Sequence, residues 1–377
     1  MKRIVRKSLS LLTAGLMVCT CLWAQVPKIG SGDRLDIASW NIEWFGDASN
    51  GPSSEVTQLN NAAALIKNAD LDLWGLCEIS NAAYWADLQK QLPDYGAVIG
   101  TWSQSQKTAL LYKKSEFTLL WSKHILQVYD YEFASGRLPL EVGLGCTLNG
   151  KYDTLVAWVV HLKANTGSSS AKATAWDRRK RAMEAMKSYI EQQGAVKGVV
   201  LGDWNDDMDK SIFSNYSTPF SAWVADTNFA IVSYPLSLSG QKSTVSYSDM
   251  IDHQAATPAL KPFWVKDSSA VLYADKYISG YGSNTSDHYP VYAHYYWNLP
   301  NAGVKPVNRS LRLWFDGSHW SSELTGPCIW TIYDAQGRLV YSGSKLEEFA
   351  GQSGQLYAIW AEQSAGFHGL SAWVLQP

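Results

Sequence analysis

The segment LGDWNDD (residues 201–207) follows a short apolar run that begins at Lys197. The run has the length and composition of a buried strand, and Gly202 is predicted to end it. An ionised carboxylate at the end of a buried strand is costly unless a partner or a metal ion compensates its charge. In an extended segment, Asp203 and Asn205 would point to the same side. The segment therefore predicts a polar site where a buried strand ends.

Polar residues end or interrupt further apolar runs on both sides of this segment. They are Asn41 and Glu43 in SWNIEW, Glu78 at the end of LDLWGLCEI, His161 in WVVHLK, and the Asp-His steps Asp252-His253 and Asp287-His288. Taken singly, each has an ordinary structural explanation, such as a surface acid that caps a loop or an imidazole in the core. Their joint occurrence in this order predicts one shared site.

Strand-like and helix-like runs alternate between residues 35 and 297. Apolar runs predict strands at 35–40, 71–79, 108–112, 152–162, 197–201, 250–255 and 289–296, and helical spacing covers 53–68 and 171–193. Ser53 or Ser54 is the expected N-cap of the first helix. Interspersed strands and helices indicate an α/β or α+β sandwich. Cys77 and Cys146 fall in apolar runs and are predicted to be buried thiols.

These motifs together resemble the endonuclease/exonuclease/phosphatase superfamily, which includes the deoxyribonuclease I-like nucleases. The similarity covers roughly residues 33–298, and GDWND and SDHYP (286–290) are its most specific parts. It implies a four-layer α/β (α+β) sandwich with two packed mixed β-sheets. It also implies an active site at the strand ends, where the motifs converge.

The resemblance further implies a metal site. Glu78 would be the main Mg²⁺ ligand, with Asn41 beside it and Asp287 near the same place. Oxygen donors of this kind suit Mg²⁺, and Mn²⁺ or Ca²⁺ are the alternatives. The family often has Gln before the metal-binding Glu, whereas this chain has Cys77. That position faces away from the site in a strand.

The implied catalytic set is His161, Asp203, Asn205, Asp252 and His288. Asp203 would prepare the attacking water, and Asn205 would hold a phosphate oxygen. His288 would donate to the phosphate or the leaving group while Asp252 fixes its tautomer, and His161 would be a second imidazole there.

Three further residues near these motifs have open roles. Glu43 and His253 are read as supporting or structural residues. Arg137 lies in GRLP (136–139), which resembles a family Arg-x-Pro near the substrate and reads equally well as a surface turn.

The N-terminus has the pattern of a signal peptide over residues 1–24. Four basic residues precede an apolar run, and Ala24 suits a cleavage point. Cys19 and Cys21 raise a lipoprotein alternative, which their neighbours disfavour. The prediction is a secreted or cell-surface protein without stable membrane insertion.

Charge limits the choice of substrate. The formal net charge of −2 becomes −6 without the four basic residues of the leader. Nucleic-acid contact would therefore need a local basic patch. Residues 178–181 (RRKR) could be a phosphate track or the solvated face of a helix, and Asp207 and Asp209 read as solvated loop acids.

The C-terminal part, residues 309–377, reads as a separate small β-sandwich that follows a linker at 300–308. The stretch IYDAQGRLV (332–340) is similar to a type IX secretion sorting domain, which would make secretion machinery a partner. The alternative is a generic β-sandwich that stabilises the enzyme or binds carbohydrate through its tryptophans.

The leading functional hypothesis is a secreted, divalent-metal-dependent phosphodiesterase, an extracellular nuclease that cuts DNA or RNA by direct water attack. A second hypothesis keeps the site but changes the substrate, giving a phosphatase or a phospholipase C-type (sphingomyelinase-like) hydrolase. A third is a non-catalytic surface binding protein.

Overall fold

A computed structural model describes residues 25–297, 313–315, 319–322, 328–334, 339–350, 356–363 and 368–375. The predicted leader at 1–24 and the linker at 300–308 lie outside these residues and stay predictions. Within the described ranges, every helix is too short or too polar to cross a lipid bilayer.

Two six-stranded mixed sheets form the main body. The first has the strand order β11-β12-β1-β2-β4-β3, built from β1 (Leu35–Phe45), β2 (Leu73–Ile79), β3 (Tyr95–Ile99), β4 (Lys107–Lys113), β11 (Ala270–Val271) and β12 (Val291–Tyr295). The second has the order β5-β6-β7-β8-β10-β9, built from β5 (Phe117–His124), β6 (Leu140–Leu148), β7 (Lys151–His161), β8 (Gly198–Asp203), β9 (Ala230–Ile231) and β10 (Asp252–Ala256). Each sheet has one parallel pair, β1 with β2 and β7 with β8.

Helices cover the outer faces of both sheets. They are α1 (Glu55–Ala69), α2 (Ala82–Gln91), α3 (Ser169–Gln192), α4 (Ser221–Val224), α5 (Tyr234–Leu238) and α6 (Tyr281–Asn284). One apolar cluster joins α1 and α2 to the first sheet, a second lies between the sheets, and a third joins α3 to the second sheet. This arrangement confirms the predicted four-layer sandwich with two packed mixed sheets.

Most of the predicted elements are present, with shifted ends. Ser54 caps α1 by accepting a hydrogen bond from the backbone N–H of Thr57. Strand β8 runs through Gly202 to Asp203, so the prediction that it stops at the glycine is wrong. Cys77 and Cys146 are fully buried, as predicted. Strands β3, β5 and β6 and helix α2 were not predicted from the sequence.

The described C-terminal residues form two antiparallel sheets. A two-stranded sheet pairs β13 (Leu313–Phe315) with β14 (Trp320–Ser322), and a four-stranded sheet has the order β16-β15-β17-β18, built from β15 (Cys328–Asp334), β16 (Leu339–Gly343), β17 (Leu356–Gln363) and β18 (His368–Leu375). Trp320, Trp330 and Ile332 belong to one buried cluster shared by both sheets.

Candidate active site

The two parallel strand pairs bring the predicted site residues to one edge of the sandwich. Asn41 lies opposite Cys77 in the β1–β2 register, which puts Glu78 beside it. His161 lies directly opposite Asp203 across β7 and β8. Gly202 has a φ of +143°, and a Cβ there would lie 1.9 Å from the carbonyl oxygen of Val160. Only glycine therefore fits at the position that sets Asp203 against His161.

Asn41 links the acidic residues of the two sheets. Its Nδ2 donates to Glu78 Oε1 and to Asp203 Oδ2, both at 3.1 Å. Its Oδ1 accepts a hydrogen bond from the backbone N–H of Glu43. Glu78 is also held by the backbone N–H of Trp44, which donates to Oε2 at 2.9 Å. The amide of Asn41 thus positions two carboxylates that would otherwise repel each other.

His161 lies between these carboxylates and a guanidinium group. Its Nε2 is 3.6 Å from Glu78 Oε1 and 3.5 Å from Asp203 Oδ2. The same nitrogen contacts Arg137 Nη1, whose guanidinium also donates to the carbonyl oxygen of Leu162. Burial, followed by the charge of Arg137, lowers the pKa of His161 well below its usual value. The imidazole is therefore neutral, and Arg137 supplies the positive charge at this side of the site.

His288 forms a buried dyad with Asp252. Its Nδ1 lies 2.7 Å from Asp252 Oδ2, and its Nε2 lies 4.0 Å from Asp203 Oδ2. Burial alone would lower the pKa of His288, but the charge and hydrogen bond of Asp252 outweigh it and raise the pKa well above its usual value. His288 is therefore a protonated imidazolium in this arrangement, with Nε2 available to the site.

Asp203 lies at the centre of the group. Burial, with added repulsion from Asp252 and Glu78, raises its pKa to about 7, although His288 partly offsets this. A carboxyl group with a pKa near neutrality can accept a proton and release it again.

Asp203 and Asn205 are related by a turn rather than by an extended segment. Asn205 has a φ of +56°, and its backbone N–H donates to Asp203 Oδ1 at 2.9 Å. Its Nδ2 donates to the carbonyl oxygen of Leu162 at 3.1 Å. The same-side argument from strand periodicity was wrong because the chain has already left the strand. The structure still keeps Asn205 next to Asp203.

One expectation about the nearby acids and bases needs correction. Asp207 is buried, and its carboxylate accepts from the backbone N–H groups of Met208 and Met250, so it is not a solvated loop acid. Asp209 is exposed, as predicted. His253 is a core residue whose ring nitrogens contact Ser233 Oγ and the carbonyl oxygen of Asp206.

The four residues of the basic run at 178–181 do not together form a phosphate track, because three of them pair with acids. Arg179 is fully buried and pairs with Asp206 at 2.7 Å. Arg178 is also buried and donates to the carbonyl oxygen of Tyr131. Lys180 and Arg181 pair with acids on the helix surface. The alternative of a solvated helix face therefore holds for Lys180 and Arg181, whereas Arg178 and Arg179 are buried.

Glu43 and Asp287 meet at the rim of the site. The backbone N–H of Asp287 donates to Glu43 Oε2 at 2.9 Å. The Asp287 side chain is 49% exposed and lies 3.8 Å from His288 Nε2. Burial, followed by the charge of Asp287, raises the pKa of Glu43 to about 7. Sequence reasoning gave Glu43 no firm role, whereas the structure makes it the anchor of the Asp287 backbone.

Four non-glycine residues at this site have a left-handed backbone conformation. Glu43, Trp44, Glu78 and Asn205 have φ values of +43°, +47°, +66° and +56°. Each costs on the order of 1 kcal/mol in a non-glycine residue and persists only where surrounding contacts enforce it. The strain lies where the strands end and the polar side chains must turn into the site.

The donor set fits a divalent cation. Glu78 and Asp203 offer carboxylate oxygens around Asn41, and Asp287 offers another at the rim. Asp203, Asp252 and His288 form a second buried group whose ligand atoms lie within 4.8 Å of one another. Asn41 presents its amide nitrogen to the carboxylates. In this arrangement it therefore positions the carboxylates and does not offer an oxygen to a cation. Hard oxygen donors with excess negative charge suit Mg²⁺ or Mn²⁺.

Comparison with known proteins agrees with the fold and the motifs. The model of the Endonuclease/Exonuclease/phosphatase family matches residues 38–288. Humanized D. rerio TDP2 with 14 mutations is similar at 18% identity and a TM-score of 0.52, over 70% of this chain and 99% of that chain. The structure of D. rerio TDP2 complexed with single strand DNA product is similar at 18% identity and a TM-score of 0.52, over 69% of this chain and 98% of that chain. No curated protein matches the chain significantly in sequence. The chain belongs to the endonuclease/exonuclease/phosphatase family.

Proposed function

We propose that this protein is a divalent-metal-dependent phosphodiesterase that hydrolyses nucleic acid by direct attack of water. The observation that carries the proposal is the convergence on Asp203 Oδ2. Asn41 Nδ2 lies 3.1 Å from this oxygen, His161 Nε2 3.5 Å and His288 Nε2 4.0 Å. An acceptor for a proton and donors for a phosphate thus face one small region. That combination is what ester hydrolysis without a covalent intermediate requires.

Each side chain has a distinct task in this scheme. Asp203 orients the attacking water and accepts its proton. His288, held by Asp252, donates from Nε2 to the phosphate or to the departing oxygen. Arg137 contributes fixed positive charge beside the neutral His161, and Asn205 holds a phosphate oxygen. Fixed donors of this kind stabilise charge that develops in the transition state.

A divalent cation would be held by Glu78 with Asp287. When bound, it would act as a Lewis acid that offsets charge on the phosphate oxygens. Asn41 keeps Glu78 in place through its hydrogen bond of 3.1 Å. Mg²⁺ is the preferred ion on donor chemistry, with Mn²⁺ and Ca²⁺ as alternatives.

DNA is the first substrate to test. The D. rerio TDP2 structure of similar fold holds a single strand DNA product. The net charge of −6 after loss of the leader favours a second candidate, a phosphatase or phospholipase C-type hydrolase acting on a less charged substrate.

The test is a substrate panel with Mg²⁺, Mn²⁺ or chelator. It contains plasmid DNA, RNA, bis-p-nitrophenyl phosphate, sphingomyelin and inositol phosphates. Wild type is run beside Asp203→Ala and His288→Ala. We expect metal-dependent cutting of nucleic acid that both variants lose. A substantial rate in excess chelator, or variants as active as wild type, would contradict the proposal. Turnover of sphingomyelin or inositol phosphates alone would establish the second candidate.

Export is a separate part of the proposal. It rests on the leader-like residues 1–24 and on the C-terminal module, which resembles a sorting domain. Expression with and without residues 1–24, followed by fractionation of medium, cell surface and cytoplasm, tests it. If the two forms are distributed equally among these fractions, residues 1–24 do not direct export.

A further inference from the structure

One side of the active site carries three cationic side chains that lack a directly paired carboxylate among the described residues. They are Arg137, Lys163 and Arg178. Arg178 donates only to the carbonyl oxygen of Tyr131 and to Ser135 Oγ. Arg137 contacts neutral His161 and the carbonyl oxygen of Leu162. Arg179, by contrast, is matched by Asp206 at 2.7 Å.

Lys163 is a half-buried cation that lies just after strand β7. It follows His161 by two residues, and Leu162 between them bonds through its backbone N–H to the carbonyl oxygen of Asp203. Arg179 Nη1 fixes the Lys163 backbone by donating to its carbonyl oxygen at 2.8 Å. The side chain is half-buried. The backbone at Lys163 is thus fixed beside the site, while its side chain retains access to solvent.

The electrostatic potential at the side chain of Lys163 is positive. Burial, and then the charges of Arg137, Arg178 and Arg179, lower the pKa of its ammonium group. The neighbouring part of the site is rich in carboxylates, so the two sides of the site differ in the sign of their charge. An anion placed at Lys163 would gain from all of these charges, because such interactions are strong where groups are partly desolvated.

We propose that Lys163, supported by Arg137 and Arg178, forms a subsite for a second, non-reacting phosphate of the substrate. The inference rests on the proposed function and narrows its substrate class to compounds that carry a second phosphate, as a nucleic-acid strand does. A substrate with one phosphate cannot occupy both the catalytic position and this subsite. The subsite also supplies the local basic patch that an acidic protein needs in order to hold a nucleic-acid backbone.

The test compares Lys163→Gln with Lys151→Gln. Lys151 is an exposed lysine at the opposite end of β7, the strand that ends at His161. Both variants and wild type are assayed on a single-stranded oligonucleotide and on bis-p-nitrophenyl phosphate, which has one phosphate. We expect Lys163→Gln to reduce kcat/KM on the oligonucleotide about tenfold more than on the small diester. Lys151→Gln should leave that ratio unchanged.

Binding provides a readout that does not need turnover. Oligonucleotide affinity is measured by fluorescence anisotropy in chelator over a range of salt. Loss of one phosphate contact should reduce the slope of log affinity against log salt by about 0.7 for a single strand. If wild type binds with this behaviour but cuts nothing, the subsite stands and the proposed function fails.

Three results would overturn the subsite. They are an unchanged salt slope in Lys163→Gln, an equal loss on both substrates, and the same effect in Lys151→Gln. An equal loss would mean that Lys163 acts at the scissile phosphate. If nucleic acid is cut but the slope does not change, the proposed function stands without the subsite.

Discussion

His288 lies three residues before strand β12 and His294 lies near the end of that strand, and a buried aspartate holds each of them. Asp252 pairs with Nδ1 of His288 at the active-site end, and Asp36 pairs with Nδ1 of His294 at the far end. The two imidazoles are equally buried, with side chains 8% and 10% exposed. Burial and a carboxylate partner therefore do not distinguish a candidate catalytic dyad from a structural one.

The difference lies in the remaining polar atoms. Asp36 also accepts hydrogen bonds from the backbone N–H of Ser31 at 2.6 Å and from Arg34 Nε at 2.9 Å, so both of its oxygens are occupied. Asp252 Oδ1 has no hydrogen-bond partner among the described residues. His288 Nε2 faces Asp203 at 4.0 Å, beyond hydrogen-bond distance. A satisfied pair stabilises the fold, whereas a pair with unused capacity can act on a ligand.

The largest expected effect is on kcat, and it distinguishes His288 from His294. His288→Ala is expected to lower kcat about 10³-fold, since it removes a proton donor. His294→Ala should change kcat less than about threefold, because its pair lies at the other end of the strand. Steady-state rates on the best panel substrate, with circular dichroism to check folding, make the comparison. Equal losses in two folded variants would mean that the far pair also serves the reaction.

The second effect concerns the two aspartates and pH. Asp252 raises the pKa of His288, so protonated His288 persists to higher pH than a free imidazole would. Asp252→Asn removes that charge. We expect kcat to fall about 10²-fold and the alkaline limb of its pH profile to move to lower pH. Asp36→Asn should leave the limb in place. A limb that stays fixed in Asp252→Asn would show that His288 does not set it.

Most individual strands and the strand-end residues could be predicted because both follow from local patterns, whereas the two packed mixed sheets were implied by the family resemblance. Apolar runs that end in a polar residue mark Glu78, His161 and Asp203, and the sheet register then brings them together. Strand β5 escaped prediction because, as an edge strand, it exposes most of its residues and shows no clear alternation. Helix α2 was not predicted because only two of its residues, Trp85 and Leu88, are buried, which leaves a weak helical pattern.

Contacts between distant segments could not be predicted. Arg137 contacts His161 from the loop before strand β6, and Arg179 contacts Asp206 from helix α3. The spacing of residues along the sequence reveals neither partner. The turn at Asn205 depends on a left-handed residue rather than on strand periodicity. The NxE spacing of Asn41 and Glu43 was visible, but the Asp287 backbone that Glu43 holds lies far away in sequence.

The third effect is on the free energy of unfolding. A substitution at the active site should raise it, and a substitution at the far pair should lower it. Asp203 has its pKa raised to about 7, so it contributes stability that is present below its unfolded value near 4 and lost as pH rises through 7. In chelator at pH 8, Asp203→Asn should therefore stabilise the fold by about 1 kcal/mol or more. The gain should vanish near pH 4.

Asp36→Ala should instead destabilise the protein by about 2 kcal/mol, because it leaves buried donors unsatisfied. Urea unfolding of both variants and wild type at the two pH values measures these differences. Destabilisation of Asp203→Asn at pH 8 would show that the site end is as well satisfied as the far end.

The smallest effect tests whether Glu43 acts through its shape or its charge. Gln at this position keeps an oxygen that can accept the Asp287 backbone N–H, whereas Ala does not. Glu43→Gln should change kcat less than about threefold, and Glu43→Ala should lower it about tenfold, since a misplaced His288 loses its alignment. Rates for both variants at fixed Mg²⁺, and again across a Mg²⁺ titration, separate the cases. If the two variants lose activity equally and recover at high Mg²⁺, the charge of Glu43 supports the metal site directly. The positioning role would then be wrong.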